Sequence, residues 1–338
     1  EFLDFARRAD EAARAVDPVV VQVSAGANWT EKDILVANSA GVYTGESRSY
    51  MMARVEAVAS EGGEQQTGSE RDGSRTGRDR FAQIDPQELA REAAERAVRM
   101  VRAPHAPAGN MPVVIGNAFG GVIFHEACGH SLETTSVAKG SSVFAGKLGE
   151  KIASECVTAV DDGTRGNDWG TTAIDDEGTP TQRTVLIEDG VLRSYMVDRL
   201  GSIRTGEKLT GSGRRESYRR APTSRMRNTY IDAGGDSFDD MVASTDRGLY
   251  AKVMGGGSVN PSTGEFNFAV TEGYAIENGK LGGPVRGASL IGFGHEILQR
   301  IEMVGADLVL ETGSCGSISG WVPTTVGQPS IKVSEITV

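Results

Sequence analysis

Two short segments in the second half of the chain limit its fold more than any other feature. Val185-Leu186-Ile187-Glu188-Asp189-Gly190-Val191-Leu192 and Tyr274-Ala275-Ile276-Glu277-Asn278-Gly279-Lys280-Leu281 each set Asp-Gly or Asn-Gly between alternating apolar residues. A tight two-residue hairpin turn needs positive φ at both central positions, which Asp, Asn and Gly tolerate, so both segments predict β-hairpins. Their mutual likeness does not establish a repeat. Glycine usage supports the same reading, since 44 of 338 residues is about twice the ordinary frequency. Glycine favours turns and close backbone approaches at an entropic cost.

The first hundred residues follow another pattern. Phe2, Phe5, Ala9, Ala12, Ala13 and Val16 recur at helical spacing, and Pro18 ends the run. Strand-like segments follow at Val19 to Val23, Ile34 to Val36 and Tyr50 to Val58. Gln65 to Arg80 is polar and rich in Gly, Arg and Ser, and reads as an exposed loop or a long hairpin. Asp85-Pro86-Gln87-Glu88 predicts a helix to about Arg102: a capping Asp, Pro at the first helical position, and Glu three residues after the cap. Pro104 to Gly109 is a short stiff connector. A buried strand at Met111 to Ile115, a helix from Val122 to about His130 and an amphipathic helix over Ser237 to Asp246 are expected beyond it. The fold class is therefore α+β, with helices and strands segregated. An N-terminal α+β domain is expected over 1–103, and a mostly β C-terminal domain carrying a metal-binding helix over 110–338.

Charge and composition remove several function classes. A net charge of -11 argues against nucleic acid and against anionic membranes, although Arg214, Arg215, Arg219, Arg220, Arg225 and Arg227 mark a candidate local patch. The longest apolar run, Met111 to Phe124, is broken by Asn117 and several glycines, short of the roughly 18 residues that span a bilayer. Three cysteines do not make a disulfide framework, so a reduced, cytoplasmic protein is expected. No signal peptide is recognised in the sequence, and because it starts at Glu1 rather than Met its true N-terminus is expected to be missing.

His125-Glu126-Ala127-Cys128-Gly129-His130 carries the chemistry. Two imidazoles can hold a metal, and the carboxylate between them can take a proton from water, as zinc peptidases require. The familiar helical motif spaces its histidines four apart. Here they are five apart, which on a regular helix rotates them by roughly 140°. Both reach one ion only if the turn is underwound or the helix ends before His130, and Gly129 permits either. Cys315, in the glycine-flanked segment Gly313-Ser314-Cys315-Gly316-Ser317, is the candidate third ligand; taken alone it reads equally as a buried structural thiol. Cys128 and Cys156 read as buried core thiols and His105 as a solvated side chain. His295-Glu296 lacks a partner histidine, because Gln299 and Arg300 stand where one is needed. Asp161-Asp162 and Asp175-Asp176-Glu177 lack calcium-loop spacing and suit turns and ion pairs.

Several motifs in order resemble the TldD/PmbA family over nearly the whole chain. They are the hexapeptide, Ile174-Asp175-Asp176-Glu177-Gly178-Thr179-Pro180, Gly213-Arg214-Arg215-Glu216-Ser217-Tyr218, Gly255-Gly256-Gly257, and Cys315-Gly316 with Val322-Pro323 and Val326-Gly327-Gln328-Pro329. The resemblance implies a zinc metallopeptidase acting on peptides and small unfolded proteins, including maturation of modified-peptide precursors. It implies one Zn2+ per chain on His125, His130 and Cys315, with Glu126 as catalytic base and Arg215 and Tyr218 as candidate substrate-binding residues. It also implies a dimer, with itself or with a paralogue that lacks these residues. Family members are longer, so an N-terminal segment is expected to be missing. Ser131-Leu132-Glu133-Thr134-Thr135 departs from the commoner Gly-Leu-Glu-Gly form. Two competing readings are a non-catalytic peptide-binding or regulatory subunit with a structural zinc, and a nucleic-acid-linked regulator, since some relatives were first described as modulators of DNA gyrase. A zinc deaminase is disfavoured because the Pro-Cys-x-x-Cys element is missing.

Overall fold

A computed structural model describes residues 1–260 and 263–338. Near the N-terminus, Val20–Ala37, Tyr43–Glu61 and Glu64–Ser74 form a three-stranded antiparallel sheet in chain order. The expected strand segments are thus parts of two much longer strands, of 18 and 19 residues. The polar stretch read as a loop or long hairpin is a hairpin arm as far as Ser74, in register from Glu61 opposite Glu64 to Met51 opposite Ser74. Its polarity did not prevent pairing because helix Pro86–Val101 covers one face and the other meets solvent. That helix buries Ala90, Ala93, Ala94 and Ala97. A Cβ at Gly68 would stand 2.0 Å from the Ala93 carbonyl oxygen, so only glycine lets the alanine face close onto the strand. The helix begins as its sequence predicts, with the Asp85 carboxylate accepting from the Gln87 amide at 3.0 Å. Helix Phe2–Arg14 adds Phe5, Ala9 and Ala13 to the same cluster.

After the connector, five strands pair in a closed ring. Asn110–Ile115 lies between Arg247–Asn260, its parallel neighbour, and Ile331–Thr337; Ser289–Phe293 and Glu265–Glu277 complete the circuit back to Arg247–Asn260. Closure removes the exposed edges an open sheet would carry. A second, six-stranded sheet runs in the order Val309–Ser317, Gly320–Gln328, Asn228–Ile231, Ala159–Asp162, Arg183–Glu188 and Val191–Leu192. Both expected hairpins form, with φ of 48° and 78° at Asp189-Gly190 and 52° and 69° at Asn278-Gly279. The expected 237–246 helix is shorter, Phe238–Ala243, with Ser237 as its cap. Mixed α+β architecture is what the patterning predicts. Helix Val122–Ala127 is wedged between the two sheets, against Arg247–Asn260 and Glu265–Glu277 of one and Asn228–Ile231 and Gly320–Gln328 of the other. Among the described residues no helix is long and apolar enough to cross a membrane.

One buried carboxylate ties helix Pro86–Val101 to the ring. Glu272, 1% exposed, accepts from Arg96 Nε at 3.0 Å, Arg99 Nη1 at 2.7 Å, Lys252 Nζ at 3.0 Å and Tyr274 Oη at 2.7 Å. Burial pushes its pKa up, but hydrogen bonds from Tyr274, Lys252 and Arg96 outweigh that and hold it at about 2. A depressed carboxylate stabilises the fold above its unfolded value, here 4.5, and that contribution is lost as pH falls through about 2. Glu272→Ala, which removes the carboxylate shared by Arg99 and Lys252 and leaves Arg96 with Glu70 alone, is expected to cost about 3 kcal/mol in urea denaturation. Glu272→Gln is expected to flatten the loss of stability between pH 4.5 and pH 2; an acid profile identical to the wild type would contradict this role.

Candidate metal centre

The helix that carries His125 ends before His130, one of the two ways the five-residue spacing allows both rings to meet. It spans Val122–Ala127; Cys128 then leaves helical geometry at φ -123° and ψ -48°, and a 3-10 turn, Gly129–Leu132, carries His130. This break cancels the angular divergence that a regular helix would impose on positions five apart. At the break Gly129 packs against Met226, whose Sδ would stand 2.3 Å from a Cβ there, so a larger residue would have to displace that side chain. The two imidazole centroids end 5.1 Å apart with their planes at 82°.

Cys315 reaches them from 185 positions away. It lies not in a loop but inside strand Val309–Ser317, opposite Val322 of Gly320–Gln328. Its Sγ is 3.2 Å from His130 Nε2, and one donor atom from each of His125, His130 and Cys315 lies within 4.8 Å of the others. Nδ1 of His125 is buried and has no hydrogen-bond partner among the described residues. Two imidazoles and a thiolate converging with an orphaned ring nitrogen fit a borderline divalent metal ion better than a hydrogen-bonded core. Glu126, the residue after His125, stays partly exposed and places Oε2 3.6 Å from His130 Nε2, beside the donors rather than among them.

Electrostatics favour the anionic sulfur. Burial presses the Cys315 thiol upward, but His125 and His130 outweigh it and bring it to about 3. Burial likewise presses His130 downward, and the carboxylate of Glu133 with the Cys315 sulfur raises it well above the ordinary imidazole value. These contacts favour a thiolate beside an imidazolium, a charge pattern in which a metal cation would take the place of the proton.

Two supporting residues went unrecognised in the sequence. Glu133, 4% exposed, places Oε2 3.1 Å from His130 Nδ1 and so fixes which nitrogen faces the thiolate. Arg225 is fully buried and donates to the carbonyls of Cys315 at 2.6 Å and Gly320 at 3.0 Å and to Ser319 Oγ at 2.9 Å. Its Nε faces Glu133 Oε1 at 4.0 Å. One chain of contacts thus joins the strand that carries Cys315 to the turn that carries His130. The spacing of Glu133, three residues after His130, was the available signal.

The remaining sequence candidates fall elsewhere. Arg215 and Tyr218 line a cleft of about 920 Å³ that His125, Glu126 and His130 do not line. Side chains alternate along a strand, so Cys315 and its partner Val322 share one hairpin face while Trp321 and Pro323 of the cleft lie on the other. The arginine patch is divided: Arg214, Arg225 and Arg227 are buried, whereas Arg219 and Arg220 are exposed. Cys128 is buried, as expected, and outside the donor cluster. Cys156 is exposed rather than core, because its segment is a turn whose thiol only reaches the Ile301 carbonyl at 3.5 Å. His105 is exposed. Asp161, Asp162, Asp175 and Asp176 accept from nearby backbone and side-chain donors and build turns, with Asp176 also paired to Arg48.

Comparison with known proteins accords with this geometry. Residues 1–101 match the family model described as the PmbA/TldA metallopeptidase central domain, and residues 108–338 the PmbA/TldA metallopeptidase C-terminal domain. A Haemophilus influenzae protein named Metalloprotease TldD homolog is 43% identical over 336 residues, covering 97% of this chain and 70% of its own length. A Saccharolobus solfataricus protein named Zinc metalloprotease TldD homolog is 31% identical over 260 residues, covering 76% of this chain and 58% of that protein. Among solved structures, a Thermotoga maritima protein described as a candidate modulator of a DNA gyrase aligns with TM-score 0.82 at 25% identity, over 100% of this chain and 73% of its own. TldE from Thermococcus kodakarensis aligns with TM-score 0.79 at 23% identity, over 99% and 73%.

Loss of the Glu133 carboxylate frees the His130 ring, so Glu133→Ala is expected to weaken metal binding by about 10–100-fold. Competition against a chromophoric chelator measures it, and an affinity equal to the wild type would show that Glu133 does not orient the ligand.

Proposed function

The chain belongs to the PmbA/TldD metallopeptidase family, and on that premise we propose that it hydrolyses peptide bonds with one zinc ion held by His125, His130 and Cys315. The observation that carries this reading is the convergence of three donor atoms within 4.8 Å from two segments 185 residues apart. Imidazole and thiolate donors suit zinc, and three protein ligands leave a coordination position open for chemistry. When bound, the metal would supply Lewis acidity toward a peptide carbonyl and toward water.

The chain's own groups do the rest. Glu126 has a carboxylate oxygen beside the donor set and enough exposure to meet water, so it takes the proton that attack by water releases and passes it to the departing amine. Glu133 holds the His130 ring in the tautomer that presents Nε2 inward. Arg225 fixes the Cys315 backbone so that the sulfur keeps its place. A thiolate donates more charge than a third imidazole, which shifts more of the work of deprotonating water onto Glu126.

The same proposal takes unfolded peptides or small proteins as substrates, including modified-peptide precursors, in a reduced cytoplasmic setting that three free cysteines support. It takes the active chain as part of a dimer, with itself or with a paralogue lacking the ligands. It assigns an N-terminal α+β domain to 1–103 and a β-rich metallopeptidase domain to 110–338, which two separate hydrophobic clusters support.

Glu126→Gln is expected to retain one equivalent of zinc while peptide hydrolysis falls by roughly 10²–10⁴-fold. Unchanged hydrolysis with metal still bound would defeat the assignment of the base. Dialysis against a strong chelator is expected to abolish hydrolysis and added zinc to restore it; full activity in the metal-free protein would refute the metallopeptidase mechanism itself.

A further inference from the structure

The cleft on the far face of the Cys315 hairpin carries a charge imbalance that the peptidase reading leaves unused. Its lining includes Lys32, Arg214, Arg215, Arg219 and Arg220, and none of these forms an ion pair among the described residues. Arg48 also lines it, but is neutralised by Glu46 and Asp176 at 3.0 and 2.8 Å. Only Asp33 and Glu216 remain to oppose five cations. This occurs in a chain of net charge -11, whose overall field repels anions. Burial, and then the neighbouring Arg227 guanidinium, depress Arg214, which donates to the Met226 and Pro323 carbonyls rather than to a carboxylate.

The cleft is also built for chain rather than for a small ion. Trp321 and Tyr218 expose large rings beside the cations. The segment that carries Arg215 to Arg220 is pinned to the hairpin by the Glu216 amide donating to the Ser319 carbonyl at 2.9 Å and by Thr223 and Ser319 hydroxyls 2.9 Å apart. Val322, the register partner of Cys315, contributes to the cleft wall, so this one hairpin carries the metal donor on one face and the cleft on the other.

We propose that this cleft is a second peptide-binding site, across the hairpin from the metal donors, that holds substrates by their carboxylate groups, Arg219 and Arg220 being its exposed reading residues. The proposal rests on the peptidase reading above and names the substrate class for it. Carboxylate can come from acidic side chains or from a free C-terminus, and the test separates them.

Calorimetric titration of the zinc-loaded Glu126→Gln protein would use an alanine-based octapeptide containing two glutamates and its glutamine counterpart, each with a free or an amidated C-terminus. The expected result is binding roughly fivefold or more tighter for carboxylate than for amide at low salt, weakening as salt rises. Adding R219E and R220E is expected to abolish or reverse the preference. A preference that survives amidation assigns side-chain carboxylates; one that amidation removes assigns the C-terminus. Equal binding of all four peptides, or a preference untouched by charge reversal, would overturn the proposal. So would a change in oligomeric mass of the reversed variant without a change in peptide preference, which would make this face a subunit contact. Retention of one equivalent of zinc by the reversed variant separates these outcomes from failure of the metal site.

Discussion

The structure depends on the meeting of one sulfur with two imidazole rings. Those groups come from a broken helical turn near residue 128 and from the edge strand of the six-stranded sheet, so they meet only when segments 185 positions apart have packed together. Neither partner is comfortable alone. A buried thiolate without cations and a buried imidazolium without anions are each costly, and here each sits within reach of the other at 3.2 Å. Such a cluster is a poor way to stabilise a fold and a good way to prepare a site whose charge a divalent ion completes.

The surrounding architecture holds that arrangement rigid. Helix Val122–Ala127 is clamped from both sides by strands, so His125 has little freedom. Gly129 fits against Met226, and Glu133 and Arg225 bridge turn and strand. At the opposite end, Glu272 gathers Arg96, Arg99 and Lys252, and couples the Ala-faced helix to the closed ring. Charge is used in opposite ways at these places. Around Glu272 it is neutralised and structural; along the cleft that Arg219 and Arg220 border it is left unpaired.

Much of this was legible in the sequence because it is local. The Asp-Gly and Asn-Gly turns, the Asp85-Pro86 helix start and the irregularity forced by five-residue histidine spacing all follow from short-range sterics. The failures are long-range. Gln65 to Arg80 suits an exposed loop as well as the long hairpin that forms as far as Ser74, because the partner strand and the covering alanine helix supply what its own composition lacks. Cys156 looked like core because alternation cannot tell a strand from an extended turn. Arg225 was read with a surface patch, since nothing in its neighbourhood announces carbonyl partners about ninety positions away. Glu133 was visible as a carboxylate near a ligand, but its orientation toward Nδ1 is a property of the 3-10 turn. Cys315 was found through family resemblance, and its place in a strand rather than a loop was not.

X-ray absorption at the zinc edge, on the zinc-loaded wild type and on Cys315→Ala, tests the central claim most directly. The account predicts one sulfur at about 2.3 Å and two imidazole nitrogens at about 2.0–2.1 Å in the wild type, with the sulfur shell absent from the variant. A first shell containing only nitrogen and oxygen, or a sulfur shell that survives removal of Cys315, would contradict it.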